Sequence, residues 1–196
     1  MKTIVGFLSR PHGFNVLNSL VNSSDYKLIR VYTHKLNPKS QDLSRSERYD
    51  YHLFAKVCEK YRIPIIPIDS KNYEFNDFPE CDFIIEVSWR YFIPQNIIKK
   101  TRIAAFGIHR GKLPEYAGAE PIKQALNNNE NKIILSAHNL DAGIDKGEVF
   151  ETLTHSINYD NSTSLDDNIE KIRDEITPKF SEIVFKTLSK FDGILK

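Results

Sequence analysis

Short apolar runs, separated by polar or glycine- and proline-containing segments, recur along the chain. The first run, Thr3–Leu8, is almost wholly apolar, which is typical of a strand buried on both faces of a sheet. Six further runs of similar length follow, each ended by a turn-forming segment. The pattern predicts seven strands: Thr3–Leu8, Lys27–Tyr32, 63–68, Asp82–Val87, Ile103–His109, Lys132–Leu140 and Glu148–Ser156.

Between these runs, apolar residues recur every three or four positions, the period of a helix with one buried face. The clearest case is Ser46–Arg62, where four residues at spacing four would form one buried stripe. These four are Tyr49, Leu53, Val57 and Tyr61. Shorter helices are predicted from Phe14, after Pro94 and over Ala119–Asn128.

The tail that follows Ser156 is helical in composition. Ser164 and Asp167 have the spacing of a capping pair at a helix start. Pro178 lies inside the same apolar pattern, and because proline removes a backbone donor, we expect a break there.

Strands and helices alternate over roughly the first two thirds of the chain. Such alternation predicts an α/β fold with a mostly parallel sheet and helices on both faces. Ligands of these sheets bind beyond the carboxyl ends of the strands, near the point where the strand order reverses. The loops that follow strands are therefore where chemistry is expected.

Composition and charge exclude several classes of protein. The net charge of +1 lacks the basic excess typical of nucleic-acid binding. No apolar run is long enough for a membrane helix, and the N-terminus does not resemble a signal peptide. Cys58 and Cys81 are not in a metal-ligand or CxxC spacing, so we expect free buried thiols, no bound metal and a cytoplasmic location.

A glycine-containing window from 107 to 147 is the best functional candidate. His109 ends the fifth predicted strand, and Asp145 lies in the turn after the sixth. If a crossover makes these two strands parallel, both loops lie at one edge of the sheet, and the two side chains can meet. An imidazole oriented by a carboxylate can move protons, although a purely structural pair remains the alternative.

Four residues near His109 are candidates for contacts with a substrate: Arg110, Lys112, Tyr116 and Glu120. The two cations, on either side of a glycine, could hold a phosphate or carboxylate group. The alternatives are a solvated basic loop, a packing tyrosine and a carboxylate at a helix start.

Two further segments lie after predicted strands. Arg10, His12, Gly13 and Asn15 follow the first strand at the start of a helix, where backbone amides can face an anion, or where the chain simply turns. Trp89–Ile93 follows the fourth strand; its rings could stack on a flat ligand or belong to the core. The spacings of a dinucleotide loop, a P-loop and a serine nucleophile elbow are absent from the sequence.

Taken together, these motifs resemble the formyltransferase family that uses 10-formyltetrahydrofolate. The resemblance spans about 45 residues, from the start of "GIHRGKLPEYAGAEPIKQAL" to the end of "SAHNLDAGIDKGEV", and reproduces a set of spaced positions. The matching positions are Gly107 to His109, Lys112 to Pro114, Gly118, Pro121, Ala125, Leu126, Ala137, His138 and Asp145 to Gly147.

The resemblance implies a Rossmann-like formyltransferase fold, with a mostly parallel seven-stranded sheet and a short helical C-terminal extension. Residues 1–155 would form the catalytic domain, and the extension, 156–196, would pack on it. His109 would stabilise the tetrahedral intermediate and help the amine lose its proton, and Asp145 would orient the imidazole. The folate-binding residues would be Trp89, Arg90, Tyr91, Phe92, Ile93, Asn139, Leu140, Asp141 and Ala142.

The amine acceptor is the less determined part of the prediction. A nucleotide-linked amino sugar is favoured, with dTDP-4-amino-4,6-dideoxyglucose as the best guess, because Arg110 and Lys112 suit a diphosphate. Arg10, His12, Gly13, Asn15, Tyr116 and Glu120 complete the predicted substrate site. Glycinamide ribonucleotide is the alternative, although only Gly13 and Asn15 remain of the phosphate loop that such enzymes use. A homodimer is possible.

One position departs from the family pattern. Gly107 stands where the family has an asparagine, whose amide would donate a hydrogen bond to the developing oxyanion. The loss of one such donor typically slows a reaction by about 10²–10³. A folate-binding or deformylating protein without full transferase activity is therefore a further alternative.

Overall fold

The fold comes from a computed structural model that describes residues 1–140, 143 and 145–194. Seven strands and five helices are formed by these residues. The strands are β1 Lys2–Leu8, β2 Tyr26–Thr33, β3 Ile65–Pro67, β4 Cys81–Val87, β5 Thr101–His109, β6 Lys132–Asn139 and β7 Val149–Ser156. The helices are α1 Arg10–Val21, α2 Tyr51–Lys60, α3 Gln95–Ile98, α4 Pro121–Asn127 and α5 Leu165–Ile194.

The strands form one seven-stranded sheet in the order β3-β2-β1-β4-β5-β6-β7. From β1 the chain builds outward to β2 and β3, then returns to place β4 on the other side of β1. The strand order therefore reverses between β1 and β4, which is where α/β sheets present ligands. The predicted mostly parallel α/β fold with a C-terminal helix is confirmed.

Residues Met1–Ala105 and Phe106–Lys196 form two compact units. In the first unit, β1 pairs in parallel with both β2 and β4, and β2 pairs in parallel with β3. The apolar side chains of β1 are fully buried, because strands in such sheets are covered on both faces. Cys58 and Cys81 are buried free thiols, as predicted, and burial raises the pKa of each to about 12.

In the second unit, β6 runs antiparallel to β5, and β7 runs antiparallel to β6. The predicted parallel crossover between β5 and β6 is therefore wrong. The physical reason is the length of α4, whose seven residues rise only about 10 Å, whereas the nine residues of β5 span about 30 Å. The short helix cannot return the chain to the start of β5, so β6 begins near the end of β5.

Helix α2 is shorter than predicted and buries a different face. Tyr49 and Tyr61 lie outside it and are 77% and 38% exposed. Its buried residues are Phe54 and Cys58, again at spacing four. The ring of Phe54 packs on Phe14 of α1, with 5.3 Å between centroids. The predicted stripe was wrong because tyrosine, with its polar hydroxyl, tolerates an exposed position.

Helix α5 runs without interruption through Pro178, so the predicted break is wrong. The Ser164 hydroxyl and the Asp167 carboxylate form the predicted capping pair: Asp167 N donates to Ser164 Oγ at 3.1 Å. A buried stripe packs α5 against α4, β6 and β7. The gain from burying this stripe on both sides of Pro178 outweighs the one backbone hydrogen bond that proline removes. The predicted domain boundary at residue 155 stays a prediction.

None of the helices formed by the described residues is long and apolar enough to cross a membrane.

Candidate active site

The centre of the candidate site in the second unit is His109, the last residue of β5, which is only 9% exposed. Its Nδ1 lies 3.3 Å from Asp145 Oδ2. Asp145 adopts a left-handed backbone conformation with φ of 54°, which aspartate tolerates better than most residues. His109 and Asp145, which the sequence placed in one site, are thus in contact. They meet because β6 runs antiparallel to β5, whereas the prediction had the two strands parallel.

The other ring nitrogen of His109 is also occupied. Nε2 lies 2.6 Å from the backbone oxygen of Tyr116. Burial lowers the pKa of His109 from its ordinary value, opposed by the charge of Asp145 and the Tyr116 carbonyl. The ring is therefore neutral at neutral pH. Its single N–H can face only one of the two acceptors, the Asp145 carboxylate or the Tyr116 carbonyl. When Nδ1–H faces Asp145, Nε2 carries the lone pair of a general base.

Asp145 has two further partners. The backbone N–H of Gly118 donates to Oδ2 at 2.9 Å, which connects the carboxylate to the loop after His109. Nε2 of His138, a buried residue of β6, lies 3.5 Å from Oδ1. Each carboxylate oxygen thus faces one imidazole, and Asp145 is held from three directions.

Sequence reasoning gave His138 no role of its own. The sequence feature that could have identified His138 is the two-residue period of a strand, which places Ser136 and His138 on the same face of β6. Ser136 Oγ donates to the Gly111 carbonyl at 2.9 Å and accepts from Leu113 N at 3.3 Å. This face of β6 therefore supports both the loop after His109 and the carboxylate.

Two positions of the site must be glycine because neighbouring atoms lie too close to leave room for a side chain. A Cβ on Gly147 would lie 1.9 Å from the carbonyl oxygen of Asn139. A Cβ on Gly111 would lie 2.6 Å from Cβ of Pro121 and 3.0 Å from Nε2 of His109. Any side chain at 111 or 147 would push apart the turns that carry His109 and Asp145.

The predicted substrate residues near His109 divide between two pockets of the second unit. Lys112 and Tyr116 line a pocket of about 250 Å³. Arg110 and Glu120 line a much smaller cleft with Arg173 of α5. The Arg110 and Lys112 side chains thus lie at different pockets, and their joint role in holding one diphosphate stays a prediction.

The predicted folate-binding residues of this unit are Asn139, Leu140, Asp141 and Ala142. Asn139 and Leu140 are half-buried at the end of β6, while Asp141 and Ala142 lie outside the described residues.

In the first unit, the loop and helix start after β1 carry four predicted substrate residues. His12 is buried, with Nδ1 3.4 Å from the Ser88 hydroxyl at the end of β4. Arg10 has φ of 62°, and its Nη2 donates to Gln41 Oε1 at 2.8 Å. Gly13 lies against the Leu8 backbone, and Asn15 is half-buried.

The aromatic segment after β4 is partly buried. Trp89 stacks on His34, with ring centroids 4.0 Å apart, and its indole Nε1 is buried with no hydrogen-bond partner among the described residues. Arg90 donates to the carbonyl of Leu36 at 2.7 Å. Tyr91 is half-buried with its ring edge-on to His34, Phe92 is 57% exposed and Ile93 is buried.

A buried polar cluster beneath this segment was missed. His34 and Arg48 are both buried. Arg48 donates to the Ser9 hydroxyl, to the His34 carbonyl at 2.8 Å and to Asp50 Oδ1 at 2.8 Å. Burial, followed by the charge of Arg90, lowers the pKa of His34 to about 3. No local pattern in the loop from 34 to 50 distinguishes these charges from solvated ones.

No group of three or more His, Cys, Asp or Glu side chains that could hold a metal ion occurs in the described part of the chain.

A family model described as "Formyl transferase" matches residues 14–180, and the chain belongs to this family. It is 23% identical over 184 residues to a methionyl-tRNA formyltransferase of Rickettsia bellii, covering 91% of this chain and 57% of the relative. The chain thus spans little more than half the length of such curated relatives.

Solved structures show the same fold at low identity. A phosphoribosylglycinamide formyltransferase from Streptococcus pneumoniae aligns with a TM-score of 0.66 and 16% identity, over 96% of this chain and 99% of that one. WlaRD, a sugar 3N-formyl transferase crystallised with dTDP and 5-N-formyl-THF, aligns with a TM-score of 0.62 and 16% identity, over 97% and 64%. At these identities the likeness establishes the fold alone.

Proposed function

We propose that this chain transfers a formyl group from 10-formyltetrahydrofolate to the primary amine of a nucleotide-linked amino sugar. The observation that carries the proposal is the contact at 3.3 Å between the buried His109 and the half-buried Asp145, in a chain that belongs to the formyl transferase family. An imidazole that burial keeps neutral, beside a carboxylate that can accept its Nδ1–H, is suited to take a proton from an attacking amine.

The residues of the first unit fit a folate as donor. Folates carry a flat ring with hydrogen-bonding edges. The Trp89 indole N–H is a buried donor with no partner among residues 1–140, 143 and 145–194, and it fits an acceptor on such a ring. The exposed Phe92 ring nearby offers an aromatic face.

When bound, 10-formyltetrahydrofolate supplies an electrophilic formyl carbon joined to a nitrogen leaving group. Nε2 of His109 takes the proton that the acceptor amine loses as its nitrogen bonds to the formyl carbon. The same nitrogen then returns this proton to the leaving folate nitrogen as the old carbon–nitrogen bond breaks, so that the histidine ends neutral. Asp145 stabilises the transient imidazolium and keeps the ring oriented, with Gly118 N and His138 holding the carboxylate.

Because Tyr116 O lies 2.6 Å from Nε2, an acceptor amine can reach this nitrogen only when the loop from 110 to 118 shifts. The substrate-bound site is therefore expected to have a longer His109–Tyr116 distance than the one described.

The acceptor is tested with purified protein, 10-formyltetrahydrofolate and a panel of amines that includes dTDP-linked amino sugars and glycinamide ribonucleotide. Mass spectrometry of the products, with parallel measurement of tetrahydrofolate, should show a new formamide on a nucleotide sugar. Formylation of glycinamide ribonucleotide instead would refute the sugar acceptor. Tetrahydrofolate release without any amine would indicate a deformylase, and folate binding without turnover a binding protein.

A further inference from the structure

A pocket of about 250 Å³ lies next to the loop that follows His109, entirely within the second unit. It is called the Tyr116 pocket here. Its lining comes from the loop, from one residue of α4, from the turn that follows α4 and from the start of β6: Gly111, Lys112, Tyr116, Ala125, Glu130, Lys132, Ile133 and Ile134.

The pocket forms where β6 extends beyond the residues that pair with β5. The register pairs Phe106–His109 with Ser136–Asn139, so residues 132–135 extend past the last paired residue of β5. The loop covers this stretch and is held at one end by Ser136, through Gly111 O and Leu113 N. The loop closes over the strand at Gly111 and leaves a space farther along, toward Lys132.

The lining has two chemically different parts. Ala125 and Ile134 provide an apolar floor, with Ile134 on the same face of β6 as Ser136, while the side chain of the adjacent Ile133 points to the opposite face. Its charged residues are Lys112 and Lys132, which are both exposed, and Glu130, so two ammonium groups and one carboxylate line the outer part, or mouth, of the pocket. That carboxylate already accepts a hydrogen bond from the Tyr116 hydroxyl at 2.8 Å.

Lys112 can be recruited by a ligand at small cost. Its present partner is Glu115, three residues along, and both side chains of that ion pair are about half exposed. Exposed pairs of this kind are weak because water screens them. The mouth of the pocket therefore favours an anionic group, and the floor favours an apolar one.

The size of the pocket limits its occupant. Engineered apolar cavities of about 150 Å³ already bind benzene. A pocket of 250 Å³ accommodates one ring or a short branched chain together with an oxyanion, but not a nucleotide.

Tyr116 connects the pocket to the imidazole. Its side chain lines the pocket, while its backbone oxygen lies 2.6 Å from His109 Nε2. Gly111, another lining residue, is packed so closely that a Cβ there would lie 3.0 Å from both Nε2 and Tyr116 O. A ligand that displaces the Tyr116 ring from Glu130 removes a contact that holds residue 116 in place, and the backbone oxygen of that residue covers Nε2.

We propose that the Tyr116 pocket binds a small molecule with an apolar body and a carboxylate or phosphate group, and that its occupancy controls access to His109 through Tyr116. The apolar body rests on Ala125 and Ile134, and the oxyanion is bound by Lys112 and Lys132. Binding itself requires no formyl transfer; only the consequence for catalysis rests on the proposed function.

Binding is tested by 19F NMR on the full chain, with 4-fluorobenzoate and 4-fluorophenyl phosphate as the two oxyanion probes. Saturable binding of one or both is expected, and the tighter probe identifies the preferred oxyanion. Ile134→Trp, which fills the pocket, and Lys132→Glu, which reverses a mouth charge, should each weaken binding at least tenfold. Lys186→Glu, the same charge reversal on an exposed position of α5, should leave it unchanged.

Failure of both probes to saturate would overturn the binding site. So would unchanged affinity in Ile134→Trp that is still folded by circular dichroism, because binding would then be elsewhere. The two variants change different properties of the pocket, so misfolding of one leaves the other as the test.

The link to His109 is tested with 15N-labelled histidine, with the His109 resonances assigned from His109→Gln. Saturating probe should shift the Nε2 resonance of His109, because the hydrogen bond to Tyr116 O changes, and should leave His155 unshifted. A saturated pocket with unmoved His109 resonances would overturn the link. These measurements need no turnover, so their outcome is independent of the proposed transferase activity.

Discussion

At the scale of single residues, the candidate site depends on how Asp145 is held. Its carboxylate faces His109 on one oxygen and His138 on the other, and it also accepts the Gly118 N–H. A carboxylate held in this way keeps one orientation, so the imidazole it contacts is oriented as well. His138 is therefore a positioning residue, acting on His109 through Asp145.

This role predicts a specific effect for His138→Phe, which keeps a ring of similar shape without nitrogen atoms. Because Asp145 loses a partner but no substrate contact is removed, kcat should fall by about tenfold to a hundredfold while KM stays near its original value. His138→Gln keeps a polar group and should recover part of the loss. Steady-state kinetics of both variants measure this; an unchanged kcat in His138→Phe removes the residue from the mechanism.

Gly107 gives a second prediction at this scale. It lies buried in β5, opposite His138 in the register, at the position where the formyltransferase pattern of the sequence leads us to expect an asparagine amide. Gly107→Asn should raise the rate of formyl transfer by about 10²-fold, because an oxyanion donor is typically worth this much. Gly107→Ala controls for the added side-chain volume. A rate for Gly107→Asn no faster than for Gly107→Ala would mean that another group already stabilises the oxyanion.

Single residues were predictable where they lay in a motif. His109 and Asp145 were identified because the first ends a strand, the second follows one, and both match a spaced pattern. The buried Arg48–Asp50 pair and His34 were not, because burial of a charged residue depends on which segments pack over it. The Tyr116 carbonyl could not be predicted either, since every residue has one.

At the scale of elements, the hydrophobic pattern located the strands well but gave neither the direction of β6 nor the buried face of α2. Direction depends on the length of the connection, and the pattern does not show that α4 is only seven residues long. The face of α2 depends on what packs against it, here Phe14 on Phe54. Pro178 was read as a break because the packing of α5 was not yet visible.

Helix α5 allows a direct test of that reasoning. Pro178 is exposed, and a residue with an N–H there could donate to the carbonyl of Asp174, four residues earlier. Pro178→Ala should therefore raise the free energy of unfolding by about 1–3 kcal/mol in urea titrations. Lys186→Ala, on the same helix, should change it far less. A loss of stability in Pro178→Ala would show that α5 needs the local geometry of proline to pack.

At the scale of the whole molecule, strand–helix alternation was enough to predict the α/β fold, because each strand must be covered by helices. The family followed from the spacing of a few residues within it. The acceptor did not follow, because it depends on which loops form pockets, and the two predicted cations lie at different ones.

The pH dependence of global stability can be predicted from His34. Burial lowers its folded pKa from 6.5 to about 3, so between these values the unfolded chain binds a proton that the folded chain does not. The contribution of neutral His34 to the free energy of unfolding is fully present above the pKa of this residue in the unfolded chain. Below that pKa it is lost as pH falls, by about 1.4 kcal/mol per pH unit. His34→Gln should lack this slope. Urea titrations from neutral to mildly acidic pH should show the two proteins converging; parallel curves would contradict the assignment.

The most direct test of the account is amine-dependent release of tetrahydrofolate from 10-formyltetrahydrofolate, measured for the original chain, His109→Gln and Asp145→Asn. The matched control is His155→Gln, because His155 forms a histidine–carboxylate pair with Glu175 at 2.9 Å outside the site. We predict that His109→Gln and Asp145→Asn each lose at least about a hundredfold in kcat, with unchanged circular dichroism, while His155→Gln keeps its rate. Near-normal turnover in either His109→Gln or Asp145→Asn would contradict the central claim that this pair performs the transfer.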